Sequence, residues 1–170
     1  MASTNNIVLI GFMGVGKGSL ARALIRETGM YGVDTDDLIE SMENRRIKDI
    51  FKEDGEAYFR ELERKTAAWL ENNVSNCIIS TGGGFHVAGN LNLIGTVVYL
   101  RSDFDHIIQK ITGHKNAKKK IEKRPLLKDQ EKARQLYDKR VPEYEGKADI
   151  VIDVTDRKTG EVLDELLSKL

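Results

Sequence analysis

The most constraining stretch of this chain is Gly11-Phe12-Met13-Gly14-Val15-Gly16-Lys17. It follows a short apolar run, Ile7 to Ile10, and precedes a segment of helical composition, Ser19 to Thr28, with Leu20, Ala23 and Leu24 on one face. A G-x-x-x-x-G-K sequence between a strand and a helix is the pattern of a phosphate-binding loop. Its glycines let the backbone wrap closely, so that successive N–H groups point at phosphate oxygens. The helix N-terminus adds partial positive charge, and the lysine reaches the β- and γ-phosphates. One position departs from the pattern. Gly18 stands where Ser or Thr normally offers a hydroxyl to Mg²⁺. Ser19 comes one residue later, about 100° further round the helix. The nucleotide-contacting candidates are thus Gly14, Val15, Gly16, Lys17, Gly18 and Ser19, with Ser19 also a metal candidate in a shifted position.

The rest of the chain alternates in kind. Tyr31 to Asp34, Cys77 to Ser80, Thr96 to Leu100 and Ile150 to Val154 read as further short strands. Helices are expected over Asp36 to Arg45, Ile47 to Glu53 and Glu56 to Asn72, the last with Phe59, Leu62, Thr66, Trp69 and Leu70 as its buried stripe. Phe104 to Ile111 and Glu161 to Leu170 also read as helices. So does Asp129 to Tyr144, which Pro142 is expected to kink or end. Residues 112–128 have no apolar period and read as a mobile loop. Strand-helix alternation of this kind predicts an α/β domain with a parallel sheet. Ligands of such sheets bind beyond the carboxyl ends of the strands. The phosphate loop, Asp34-Thr35-Asp36 and Thr81-Gly82-Gly83-Gly84 all follow strands, so they should converge.

Two carboxylates at i and i+2 can divide labour, one orienting Mg²⁺ waters and the other taking a proton from a substrate hydroxyl. The competing reading of Asp34-Thr35-Asp36 is a helix N-cap. The triple glycine permits close approach by a ligand, or is simply a loop. Arg60, Arg124 and Arg140 each read as a surface charge alone, and together as clamps for an anionic substrate. His86, His106 and His114 lack metal-ligand spacing and receive no role. Cys77 reads as a small core residue.

Composition bounds the remaining classes. The 170 residues carry 27 Lys plus Arg against 27 Asp plus Glu, a formal net charge of zero. That excludes a uniformly basic nucleic-acid or membrane-surface binder. The neutrality is a cancellation, because residues 112–128 hold seven basic residues and one acidic, while residues 34–63 hold five basic and eleven acidic. The cationic segment reads as a nucleic-acid patch, a solvated loop, or a lid closing over a triphosphate. One cysteine permits no internal disulfide, which suits a reducing, cytoplasmic setting. No apolar run is long enough for a membrane span, and no apolar stripe remains to demand a partner, so a monomer is expected.

Taken together, several ordered segments resemble the shikimate kinase family: GFMGVGKGSLA, DTD at 34–36, FRELE at 59–63, STGGG at 80–84, RPLL at 124–127 and YDKRVPEYE at 137–145. The resemblance covers nearly the whole chain. It implies a single domain of the three-layer α/β/α P-loop kinase fold, with a five-stranded parallel sheet and a mobile lid at about 112–128. It also implies transfer of the γ-phosphoryl of ATP to the 3-hydroxyl of shikimate, with Mg²⁺, in the route to chorismate and aromatic amino acids. By the same resemblance, Lys17 and the loop hold phosphates, Asp34 associates with Mg²⁺, and Asp36 binds substrate hydroxyls as the candidate base. Arg60 and Arg140 bind the shikimate carboxylate, Gly82 and Gly83 approach the substrate, and Arg124 meets ATP phosphates from the lid. The Lys17-Gly18 pair instead resembles adenylate kinases. A nucleoside-monophosphate kinase, and a nucleotide-binding pseudoenzyme with impaired metal chemistry at Gly18, stand as alternatives.

Overall fold

The computed structural model describes residues 5–113, 115–122 and 127–170. Five parallel strands form one sheet: β1 (Ile7–Ile10), β2 (Tyr31–Asp34), β3 (Cys77–Ser80), β4 (Thr96–Arg101) and β5 (Ile150–Asp153), in the order β2-β3-β1-β4-β5. Ile7 pairs in register with Ile78 on one side and Thr96 on the other, so β1 is central. Its four residues are all buried, as a parallel strand covered on both faces requires.

The helices are α1 (Lys17–Thr28), α2 (Thr35–Glu43), α3 (Ile47–Glu53), α4 (Gly55–Asn73), α5 (Leu91–Ile94), α6 (Phe104–Thr112), α7 (Ala117–Glu122), α8 (Gln130–Glu145) and α9 (Thr159–Lys169). A 3₁₀ turn spans Phe85–Ala88. Helices α1 and α9 pack together, and α4 packs on α5 and the 3₁₀ turn. Right-handed crossovers put these two groups on opposite faces. The chain leaves β1 toward one face and β3 toward the other, so a crevice opens between their carboxyl ends.

A large core joins the sheet to α1, α6, α8 and α9. A second, smaller cluster of Ile39, Ile50, Phe59 and Leu62, with Ile47 and Phe51 against it, ties α2 and α3 to α4. That lobe has its own apolar centre and flanks the crevice.

Three expectations are corrected, and the helix with Pro142 holds. Residues 112–128 contain helix α7, in which Ile121 is the apolar anchor against the core. Helix α8 holds much as expected, with Pro142 inside its last turn and its end at Glu145, and Gly146 N–H bonds the Pro142 carbonyl at 3.0 Å. Trp69 is 47% exposed; Glu63 and Ala67 are buried on that helix instead. Ala21, not Ala23, joins Leu20 and Leu24 on the buried face of α1.

Candidate active site

The loop after β1 turns on Gly11 (φ 144), Gly14 (φ 85) and Gly16 (φ 118), a left-handed region that L side chains rarely enter. A Cβ on Gly11 would stand 2.7 Å from the Leu100 carbonyl oxygen. Gly16 precedes α1 with no side-chain cap, which leaves first-turn amides for a ligand. Lys17 is buried, and its Nζ donates to the carbonyls of Gly11 at 2.6 Å and Phe12 at 3.1 Å. The ammonium is thereby folded over the loop. Lys110 of α6, unremarked in the sequence, brings its Nζ to 3.3 Å from where a Gly16 Cβ would lie. Arg22 Nη2 donates to Ser19 Oγ at 3.5 Å.

The loop after β3 is pinned on both sides. Thr81 donates from its N–H and its hydroxyl to the Leu9 carbonyl, at 3.2 and 2.8 Å. Gly82 N–H donates to Thr35 Oγ1 at 3.0 Å. Each glycine then makes room for one charged side chain. A Cβ on Gly82 would meet Asp36 Oδ1 at 2.6 Å, and one on Gly83 would meet Arg140 Nη1 at 3.4 Å and the Met13 amide nitrogen at 3.3 Å. A Cβ on Gly84 would collide with the Arg60 guanidinium. Asp36, Arg140 and Arg60, distant in sequence, are thus gathered along three consecutive glycines. Gly84 was not among the residues singled out from sequence, although it belongs to the same triplet.

Asp34 does cap α2: its Oδ1 accepts the N–H groups of Asp36 at 3.0 Å and Asp37 at 3.3 Å. The cap uses one oxygen of the carboxylate. Asp36 is half-buried as a residue, but its Oδ1 is fully buried without a hydrogen-bond partner. Burial, followed by the neighbouring charges of Asp34 and Glu63, pushes its pKa up to about 7 against the opposing pull of Lys17.

Arg60 Nη1 donates to Glu63 Oε2 at 2.5 Å, and its Nη2 and Nε donate to Glu56 Oε1 at 3.0 and 3.3 Å. Glu63 is buried, and its second oxygen, Oε1, has no partner. Burial raises the Glu63 pKa, while Arg60 and then Arg140 oppose the shift. Arg140 is buried on α8. One turn on, Tyr144 donates its hydroxyl to the Gly83 carbonyl at 2.5 Å. Glu63 was missed from sequence because FRELE on a charged helix gives no sign of which acid turns inward.

Of the expected residues, Gly14, Val15, Gly16, Lys17, Gly18 and Ser19 lie on the loop after β1 and the start of α1, Asp34 ends β2, Asp36 lies in the first turn of α2, and Asp36, Arg60 and Arg140 come together along the loop of Gly82 and Gly83. Arg124 lies outside the described residues. Among the described residues, no three His, Cys, Asp or Glu side chains form a metal cage, and no helix is long and apolar enough to cross a membrane. The arrangement offers a phosphate cradle, a carboxylate that titrates near neutrality, and two arginines suited to an anion.

Comparison with known proteins agrees with that chemistry. The family model "Shikimate kinase" matches residues 13–170. A shikimate kinase of Sulfurihydrogenibium sp. is 38% identical over 170 residues, covering 97% of each chain. One of Helicobacter hepaticus is 38% identical over 148 residues, 87% of this chain and 86% of that one. Among solved structures, shikimate kinase from Acinetobacter baumannii in complex with shikimate superposes with a TM-score of 0.83 at 28% identity, covering 97% of this chain and 92% of that one. The Aquifex aeolicus enzyme gives 0.77 at 31% identity, over 96% and 94%.

Proposed function

The chain belongs to the shikimate kinase family, and we propose that it transfers the γ-phosphoryl group of ATP to the 3-hydroxyl of shikimate, giving shikimate 3-phosphate and ADP. The observation that carries this reading is the run Gly82-Gly83-Gly84, against which Asp36, Arg140 and Arg60 pack beside the phosphate loop. Arg60 and Arg140 are the proposed clamp for the substrate carboxylate, since guanidinium matches carboxylate bidentately. Glu63, between them in charge, holds Arg60 in place. Asp36 is the proposed base. With a pKa of about 7 it is partly ionised at neutral pH, the condition under which a general base works best. Its unpartnered Oδ1 supplies an acceptor for a substrate hydroxyl. Gly14 to Ser19 hold the nucleotide phosphates, and Lys17 turns from its carbonyls toward them. Catalysis is then mainly positional and electrostatic.

A magnesium ion fits the carboxylates here. The Asp34 charge helps raise the Asp36 pKa, and Mg²⁺ takes one or two carboxylates with waters and phosphates. Asp34 would hold it, with Ser19 as a second candidate; bound there, it neutralises charge on the phosphates. We read the chain as one domain, monomeric and cytoplasmic, with the segment at 112–128 as its lid and Arg124 as that lid's contact to ATP. The supports are the single cysteine and the cationic charge of that segment.

An ADP-release assay with shikimate, with AMP, and with no acceptor tests the activity. Turnover with shikimate alone is expected. Turnover with AMP and none with shikimate would point to a nucleoside-monophosphate kinase, and ATP binding with neither turnover to a pseudoenzyme.

A further inference from the structure

We propose that His86 and Glu143 form a positioning pair that fixes the triple-glycine loop to α8, and through it the distance between Arg140 and Gly83. This rests on the reading that the loop and Arg140 take the substrate carboxylate. His86 follows the glycines by two residues, in the 3₁₀ turn, and its side chain is 2% exposed. Its Nε2 lies 2.7 Å from Glu143 Oε2. The Glu143 carboxyl is held below its usual range, first by this hydrogen bond, so it accepts and the imidazole Nε2–H donates. Burial pushes the His86 pKa down, against the opposing effect of Glu143. Nε2 therefore carries the proton shared with Glu143, and Nδ1 is buried.

Helix α8 meets the loop at three residues, 140, 143 and 144, which share one face at i, i+3 and i+4. Arg140 lies over Gly83, Tyr144 donates to the Gly83 carbonyl, and Glu143 accepts from His86. The His86 ring also packs edge-on against Tyr144, with centroids 4.6 Å apart. Arg140 and Tyr144 both bear on Gly83, so alone they leave a single pivot between loop and helix. The His86–Glu143 bond adds a second point of attachment, which stops rotation about that pivot. A buried imidazole is desolvated at a cost, and this hydrogen bond is what offsets it.

Steady-state kinetics of His86→Ala, Glu143→Ala, the double variant and Glu143→Gln test the pair, together with hydrogen exchange of the substrate-free protein. Each alanine variant is expected to raise KM for shikimate about five- to tenfold, the worth of one lost hydrogen bond. KM for ATP should stay unchanged. The double variant should be no worse than either single one, because the two residues share one interaction. Glu143→Gln should recover most of the loss, since its carbonyl oxygen still accepts from Nε2–H. Unchanged KM for shikimate, additive losses, or equal rises in both KM values overturn the proposal. If His86→Ala folds poorly, Glu143→Ala carries the same test from a side chain 40% exposed. A wild type inert toward shikimate would sink the proposed activity instead. The pair is then decided by exchange alone: faster exchange over residues 82–88 in Glu143→Ala upholds it, and unchanged protection overturns it.

Discussion

The buried Oδ1 of Asp36 lies 2.6 Å from the point where a Cβ on Gly82 would stand. Position 82 is thereby closed to any side chain unless the carboxylate moves. Gly82→Ala should displace Asp36 and lower kcat/KM for shikimate about ten- to a hundredfold, the rate equivalent of ~1.5–3 kcal/mol of overpacking. Titration with a fluorescent ATP analogue should show unchanged nucleotide affinity, because the phosphate loop is not touched. Equal losses for both substrates would mean that the loop after β3 supports the whole crevice and not Asp36 in particular.

The acid limb of the pH profile follows from the same carboxyl. Its pKa is raised to about 7 by burial first and by Asp34 and Glu63 next. The acid limb of kcat/KM for shikimate reports the free enzyme's base, so the profile should fall below about pH 7 with unit slope. A limb near pH 4, the ordinary value for an aspartate, would remove Asp36 from the role of base.

Asp36→Asn should separate activity from stability. Turnover should be nearly lost while ATP still binds. The folded state holds the Asp36 proton more tightly than the unfolded state, so between about pH 4 and 7 unfolding releases it, and wild-type stability falls as pH rises through that window. The loss is complete above pH 7 and absent below pH 4. Asn carries no such charge, so at pH 8 the variant should be more stable than wild type by ~1–2 kcal/mol, discounted from about 1.4 kcal/mol per unit because the residue is half-exposed. Urea denaturation at pH 4.5 and pH 8 measures the difference. Equal gains at both pH values would assign the effect to something other than ionisation.

How much of this site could be read from the chain differs by residue, for physical reasons. The phosphate loop was legible because its glycines and lysine sit at fixed spacing between a strand and a helix. Strand ends at Ile10, Asp34 and Ser80 then implied convergence, and the sheet order provides it. Of the two readings of Asp34, the structure shows the cap, which uses one oxygen of the carboxylate. Glu63 was passed over and Trp69 misplaced for one reason: helical spacing ranks residues by polarity, whereas the packing of α4 buries an acid against Arg60 and leaves an indole outside. Lys110 was invisible because its approach to Gly16 depends on how α6 packs against the loop. Helix α7 was missed because one isoleucine, Ile121, makes its contact with the core, too little for a period.

Gly84→Ala extends the first prediction to a different partner. An added Cβ there would collide with the Arg60 guanidinium, which Glu63 and Glu56 hold in place. KM for shikimate should rise about tenfold or more with a smaller change in kcat, the signature of lost ground-state binding. Pairing it with Arg60→Ala in a double-mutant cycle should show strong non-additivity. Additive losses would mean that Gly84 acts on the loop backbone and not through Arg60.

Gly18 is where the chain departs from the phosphate-loop pattern, and the structure shows what a restored hydroxyl would meet. A Cβ at position 18 would find Arg22 Nη1 at 3.5 Å as its nearest neighbour, an ordinary contact at the end of a flexible, exposed side chain. Gly18 also has no positive φ, so Ser fits without strain, and replacing a helical Gly should add up to ~0.5 kcal/mol of stability. Ser19 remains the shifted candidate, its hydroxyl accepting from Arg22 at 3.5 Å, and a hydroxyl at position 18 would add an oxygen ligand one residue nearer the loop. Gly18→Ser should therefore lower the Mg²⁺ concentration at half-maximal activity about threefold or more, with KM for shikimate unchanged. The metal titration at saturating ATP and shikimate reads this directly. An unchanged midpoint in a variant that melts at or above the wild-type temperature would show that carboxylate and water already complete the metal's coordination here.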